Sequence, residues 1–155
     1  MDVIVRCFDV VTGKQTYEQT VHQGQVLEEN RSTELGKFEI PVKEKNKNEE
    51  MRVVVAAYLI EDGKQVARYI NWPEPLKYVQ LRKPKHLNLK ISETGNEILL
   101  EAEVPVKGVA VEAEDGDIVF ADNCVDVVPG ETVRIGVKGL SKGDEGKLGM
   151  RYLGF

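Results

Sequence analysis

Short runs in which apolar and polar residues alternate, broken every few positions by glycine or proline, set the pattern of this chain. Period-two alternation places successive side chains on opposite faces of a strand, so the pattern predicts strands and very little helix. Val3 to Val10 (VIVRCFDV) reads as a strand, followed by a turn with Gly13 at the position that needs positive φ. Gln15 to His22 (QTYEQTVH) returns antiparallel to it. Gly24 to Gly36 has little apolar periodicity and leaves room for a short strand and a loop. Lys37 to Val42 (KFEIPV) alternates again and predicts a further strand. The fully polar run Lys43 to Glu50 (KEKNKNEE) predicts a solvated hairpin loop. Met51 to Ile60 (MRVVVAAYLI) is apolar on both faces, which marks a central strand. Glu61-Asp62-Gly63-Lys64 is a tight hairpin turn, because Asp-Gly tolerates the left-handed geometry such turns require. Gln65 to Asn71 pairs back.

The pattern changes between Arg68 and Leu89, a stretch that holds the only tryptophan, Trp72, and three of the six prolines. Trp72-Pro73-Glu74-Pro75 is excluded from a helix interior and from a central strand, since each proline lacks a backbone donor and pushes the residue before it into extended geometry. Leu76 to Leu81 (LKYVQL) reads as one more strand and Arg82-Lys83-Pro84-Lys85 as a charged joint. Strands then resume at Leu87 to Ser92 and at Glu97 to Val104, where Ile98, Leu100, Ala102 and Val104 share one face and Glu97, Glu101 and Glu103 the other. Val109, Val111 and Ala113 continue the pattern. A turn at Asp115-Gly116-Asp117 leads to Ile118–Ala121, and a loop runs from Asp122-Asn123 to Val128-Pro129-Gly130-Glu131. Val133, Ile135 and Val137 line the next strand, and Leu148 to Leu153 forms the last. Strands with turns every 8–12 residues are the sign of β-sandwiches. The expected architecture is all-β: two small sandwich modules, residues 1–82 and 83–155.

Composition and charge narrow the function classes. The net charge is −5, and the arithmetic by halves is 12 basic against 13 acidic residues in 1–82 and 9 against 13 in 83–155. Neither half has a basic run, so nucleic acid and anionic membrane are excluded as expected partners, and no apolar stretch is long enough to span a bilayer. Cys7 and Cys124, one in each half, read as free thiols in a reducing compartment. With no basic segment leading into an apolar core at the N-terminus, the expected location is the cytoplasm. The strand pattern starts at Val3 without a lead-in, and the chain reads as part of a longer one.

Candidate chemistry is sparse. Asn96-Glu97 matches the dipeptide that carries the acid/base carboxylate in many retaining glycosidases, but it falls on a hairpin turn with Glu97 facing water. Glu112, Glu114, Asp115, Asp117 and Asp122 offer oxygen ligands without the spacing of a calcium loop. His22 and His86 lie far apart with no cysteine or carboxylate pattern around them, so no metal site and no cofactor is expected. No nucleophile elbow, phosphate loop or dinucleotide fingerprint is present, and no catalytic residue is assigned. Trp72, Tyr69 and Tyr78 are the candidate substrate-binding residues, as an aromatic platform for a sugar ring. The competing reading, which the two flanking prolines favour, packs Trp72 into a protein seam.

Two motifs carry a family resemblance. Trp72-Pro73-Glu74-Pro75-Leu76-Lys77-Tyr78 with Pro84-Lys85-His86-Leu87, and Val119-Phe120-Ala121-Asp122-Asn123-Cys124-Val125-Asp126-Val127-Val128-Pro129-Gly130-Glu131, resemble the C-terminal region of the β-mannosidases. These belong to the glycoside hydrolase clan of the β-galactosidases and β-glucuronidases. The second motif takes the form F-S-D-N-aromatic-F-D-L-x-P-G-E in that family. This chain keeps Phe120, Asp122, Asn123, Asp126, Pro129, Gly130 and Glu131 and departs at Ala121, Cys124 and Val125. The resemblance implies a parent with a jelly roll, an immunoglobulin-like domain, a (β/α)₈ barrel and two further β-sandwich domains. Residues 1–82, like an immunoglobulin or carbohydrate-binding module, and the immunoglobulin-like residues 83–155 would be those last two. The catalytic glutamates of the family sit on the barrel, so none carries over. The implied role is a non-catalytic accessory region whose partners are the barrel and other domains of the parent, with a manno-oligosaccharide as a further partner. A carbohydrate-binding pair and a free-standing scaffolding or adhesion pair are the alternatives. Asp122, Asn123 and Pro129-Gly130 read as loop architecture.

Overall fold

A computed structural model describes residues 1–42, 47–114 and 117–154, the side chains of residues 47 and 49 excepted. The chain divides into two compact units, one of residues Met1–Val10 and Lys14–Gln80, the other of residues Val11–Gly13 and Leu81–Phe155. It is all-β, and no helix among the described residues is long and apolar enough to cross a membrane.

The first unit is built on strands β1 (Asp2–Asp9), β2 (Gln15–His22), β3 (Val53–Glu61) and β4 (Lys64–Asn71), in the antiparallel order β2-β1-β3-β4. The doubly apolar run takes the inner position predicted for it, with β3 paired to β1 and to β4. Asp62 (φ 48°) and Gly63 (φ 74°) both adopt left-handed backbone in the β3–β4 turn, as a two-residue hairpin of this handedness demands. Val5, Cys7 and Val55 lie on one sheet face, flanked there by Tyr17 and Val21 of β2 and covered by Phe38 and Ile40. The rings of Tyr17 and Phe38 meet at 5.7 Å between centroids.

Two expected strands take another form here. Lys37–Val42 turns Phe38, Ile40 and Val42 inward and leaves Glu39 and Pro41 exposed, so the alternation is real, but the backbone joins no ladder. Pro41 has no N–H to offer one, and Gly36 (φ 94°) turns the chain just before it. The segment is an extended cover over the sheet. Leu76–Leu81 is likewise not a strand: Leu76–Tyr78 forms one 3₁₀ turn, in which Tyr78 N–H donates to the Pro75 carbonyl and Val79 N–H to that of Leu76, each at 3.0 Å. Leu76, Val79 and Leu81 are the inward residues of that stretch, and the i, i+3 spacing of the first two fits a tight turn as well as it fits an irregular strand. Of the polar run, Lys47–Glu50 forms a single helical turn, and 43–46 fall outside the described residues.

The second unit is a two-sheet sandwich. Strands β5 (Leu87–Ile91), β6 (Glu97–Ala102), β8 (Val119–Phe120) and β10 (Val133–Lys138) form one sheet in the order β5-β6-β10-β8. Strands β7 (Val106–Ala113), β9 (Val125–Val127) and β11 (Leu148–Arg151) form the other in the order β11-β7-β9. Ile98 and Leu100 of β6 and Val133, Ile135 and Val137 of β10 meet Val109 and Val111 of β7 and Val127 of β9 in one core. Ile98 sits opposite Ile135 and Leu100 opposite Val133, so the predicted alternation becomes cross-strand pairs. The short strand β9 lies inside the expected 122–131 loop. Its Val-Asp-Val alternation is only three residues long, too short to be told from a loop by pattern.

The Asp-Asn…Asp motif holds that sheet together. One step beyond the last β7–β9 pair, Val109–Val125, the amide of Asn123 stands in for a strand residue. Its Oδ1 accepts from Val111 N–H at 2.8 Å and its Nδ2 donates to the Val111 carbonyl at 2.9 Å. Asp122 Oδ1 accepts from Asn123 N–H at 2.7 Å, and Asn123 Oδ1 also accepts from Cys124 N–H at 3.0 Å. Asp126 Oδ1 accepts from Gly108 N–H at 2.7 Å where β7 bulges between Val106 and Val109. Replacing the Asn123 amide by a methyl strands both backbone groups of Val111, and leaving a buried donor or acceptor unmade costs about 1–3 kcal/mol. We therefore expect Asn123→Ala to lower the urea midpoint of the second unit's transition with its slope unchanged. Asn123→Asp, which keeps an acceptor and loses the donor, is expected to fall between Asn123→Ala and the parent sequence.

Candidate functional surfaces

Three of the carboxylates that sequence offered for chemistry, Glu97, Glu112 and Asp122, are engaged in local structure. Glu97 Oε2 accepts from Arg134 Nη1 at 2.9 Å across the β6–β10 pair, and the Asn96 side chain closes its own turn with Ser92 and Thr94. Glu112 pairs with Arg151 Nε at 2.9 Å, Asp122 caps Asn123, and Asp115 lies outside the described residues. Among the described residues no group of three His, Cys, Asp or Glu side chains is placed to hold a metal ion. The His22 ring meets the Leu35 carbonyl through Nε2.

Glu103 caps the joint that precedes β5. Its two carboxylate oxygens accept from the backbone N–H groups of Lys85 and His86, the latter at 2.7 Å. Partial burial works to raise its pKa. The N–H groups of Glu103, Lys85 and His86, with the neighbouring His86 ring, outweigh that and hold it below the usual carboxylate range. A hollow of about 450 Å³ beside it is lined by His86, Glu101, Glu103, Glu131 and Thr132 among others, and Thr132 Oγ1 donates to Glu101 Oε1 at 2.6 Å. The two cysteines are free: Cys124 is exposed, while Cys7 is enclosed and burial pushes its thiol up to about 11.

The three aromatic candidates, all in the first unit, are not brought onto one surface. Trp72 is enclosed, with 5% of its area exposed. Tyr78, 54% exposed, borders a hollow of about 530 Å³ with Met51, Arg52, Asn48 and Gln80. Lys77 Nζ lies over its ring at 4.8 Å, and Arg52 is tied to Asp9 by Nε at 3.0 Å and Nη2 at 2.7 Å. A sugar stacking on that ring face would have to displace the lysine. Tyr69, 68% exposed, borders a different hollow, of about 330 Å³. Its floor is Val3 of β1, Ala57 and Leu59 of β3 and Ala67 of β4, and Leu27 and Leu35 close it from the loop above. Nothing in the alternation pointed to this hollow. Its one sequence signal is that Val26, Leu27 and Leu35 are isolated apolar residues in the otherwise polar run 25–35.

Comparison with known proteins covers the whole chain. The profile of the mannosidase Ig/CBM-like domain matches residues 1–78, and that of an Ig-fold domain found in mannosidases matches residues 81–149. β-Mannosidase B of Thermothelomyces thermophilus is 50% identical over 155 residues, 99% of this chain and 18% of the relative. β-Mannosidase B of Aspergillus fumigatus is 33% identical over 98% of the chain, again 18% of its own length. A crystal structure of β-D-mannosidase from Dictyoglomus thermophilum superposes with a TM-score of 0.65 at 18% identity, over 98% of this chain and 18% of that one. The chain thus spans about a fifth of the length of the relatives it matches.

Two outcomes are expected. The Trp72 emission of the folded protein should resist iodide and stay unchanged on addition of manno-oligosaccharides, whereas the urea-unfolded chain is quenched freely. For Glu103, a folded pKa below the unfolded value of about 4.3 means its stabilisation is complete above that pH and is lost as pH falls toward the folded value. The gap in thermal midpoint between the parent sequence and Glu103→Gln should therefore be constant above about pH 5 and shrink below about pH 4.

Proposed function

This chain belongs to the mannosidase Ig/CBM-like domain family, and on that premise we propose that it serves as an accessory region buttressing the catalytic barrel of a retaining β-mannosidase. It is homologous to the C-terminal portion of β-mannosidases, outside their catalytic region. The observation that carries the proposal is the 50% identity across the full chain to less than a fifth of a β-mannosidase. A segment held that closely, with Glu97 and Glu112 tied to arginine and Asp122 to backbone, supports the other domains of a parent enzyme. The parent would remove terminal, non-reducing β-D-mannose residues. We place it in the cytoplasm, which the two free cysteines support.

A second reading, contact with a manno-oligosaccharide, rests on the exposed rings of Tyr69 and Tyr78, since Trp72 is enclosed. It requires a saturable response to manno-oligosaccharide that is lost in Tyr69→Ala or Tyr78→Ala.

Residues 1–155 purified alone are expected to release no nitrophenol from an aryl β-mannoside, while the full-length parent does. Turnover by the isolated chain would overturn the accessory reading.

A further inference from the structure

The hollow beside Tyr69 is a place where the first unit is unfinished. Val3, Ala57, Leu59, Ala67 and Tyr69 share the sheet face that also carries Val5, Cys7 and Val55, as the registers Val3–Leu59, Ala57–Tyr69 and Leu59–Ala67 require. Phe38 and Ile40 cover the Val5–Cys7–Val55 end of that face, whereas its β4 side stays open. β4 is one of the two edge strands of the sheet. The loop above the hollow is pinned at several points: Gln25 N–H donates to the Met1 carbonyl at 2.8 Å, Gly24 N–H donates to Asp2 Oδ1 at 2.8 Å, and the His22 ring holds the Leu35 carbonyl. The roof is thus fixed in place and still leaves Tyr69 at 68% and Val26 at 77% exposure.

We propose that this hollow, bordered by Tyr69, Leu27 and Leu35 over the Ala57–Leu59–Ala67 floor, is the seat of an apolar segment from the rest of the parent β-mannosidase chain. The proposal rests on the accessory reading and adds the surface through which it works. Two observations choose this occupant. The matched relatives are more than five times as long as this chain, so most of the polypeptide that meets it lies in the same molecule. A tethered segment competes at an effective concentration that a free partner does not reach. The lining also suits a protein neighbour: small apolar side chains below, an aromatic ring with a hydroxyl at the rim, and Arg31 and Thr33 at the border. That is the composition of an interface core with a polar rim. A sugar ring would meet one aromatic ring and few hydrogen-bonding side chains on the floor.

The test uses the full-length parent enzyme carrying Cys124→Ser, so that Cys7, enclosed, is the remaining native thiol of this region. Tyr69→Cys is added and its maleimide labelling rate is compared with the same protein in urea and with Lys64→Cys in the exposed β3–β4 turn. We expect Cys at 69 to label at least about tenfold more slowly when folded, while Cys at 64 labels at nearly its unfolded rate. Tyr69→Arg should lower the thermal midpoint and the kcat/KM of the whole enzyme together. Labelling of Cys at 69 as fast as in urea, with Tyr69→Arg indistinguishable from the parent, overturns the proposal. Protection that appears only on adding manno-oligosaccharide also overturns it, in favour of a glycan site, and protection that grows with enzyme concentration does so in favour of a second copy. Deleting the whole region separates this proposal from the reading beneath it. If deletion leaves stability and activity intact, the accessory reading fails. If deletion cripples the enzyme while Tyr69→Arg does not, that reading stands and only this surface is wrong.

Discussion

Every apolar face of a β-sheet has to be covered, one face per sheet in the second unit and both faces along β3 in the first, and that requirement shapes each unit. In the second unit one sheet covers another, with Ile98, Leu100 and Ile135 of one set against Val109, Val111 and Val127 of the other. In the first unit the described strands make a single sheet, and the extended segment around Phe38 and Ile40 takes the place that a second sheet fills elsewhere. An irregular cover reaches less far than a sheet, because it has no ladder to keep it flat and extended. The open ground around Tyr69 and Ala67 follows from that.

The loops that join the strands are held by side chains that imitate backbone. The Asn123 amide offers Val111 the same donor and acceptor that a neighbouring strand would, so β7 stays paired past the point where β9 has ended. Asp126 does half of that for Gly108 at the bulge, and Glu103 does the acceptor part twice for Lys85 and His86. The motif that links this chain to β-mannosidases is therefore a device for closing a small sandwich. Its Asp and Asn side chains are occupied by backbone N–H groups, which is consistent with a region outside the catalytic machinery.

Glu97 and Glu112 are committed to arginine, Glu101 to a hydroxyl and Asp122 to a backbone N–H, and Trp72 is enclosed. What such a region contributes to a long enzyme is shape and rigidity. Surfaces that stay apolar after the chain has folded are then where the rest of the enzyme is to be sought.

Sequence alone determined the strand class, the inner place of Met51–Ile60, the Asp62-Gly63 hairpin and the inward set Ile98, Leu100 and Val104, because each depends on neighbours in the chain: period-two patterning, doubled apolarity, or a dipeptide that tolerates left-handed backbone. Motif residues such as Asp122, Asn123 and Pro129-Gly130 also declared the family. Tertiary structure decided the rest. Alternation in Lys37–Val42 reports which side chains face inward and not whether the backbone finds a partner, so the same pattern served a strand in one place and a cover in another. Leu76 and Val79 fit two conformations until the surroundings selected the turn. The reach of Asn123 to Val111 and the meeting of Leu27 and Leu35 with Tyr69 join residues 12 or more positions apart, a distance over which no local pattern carries information.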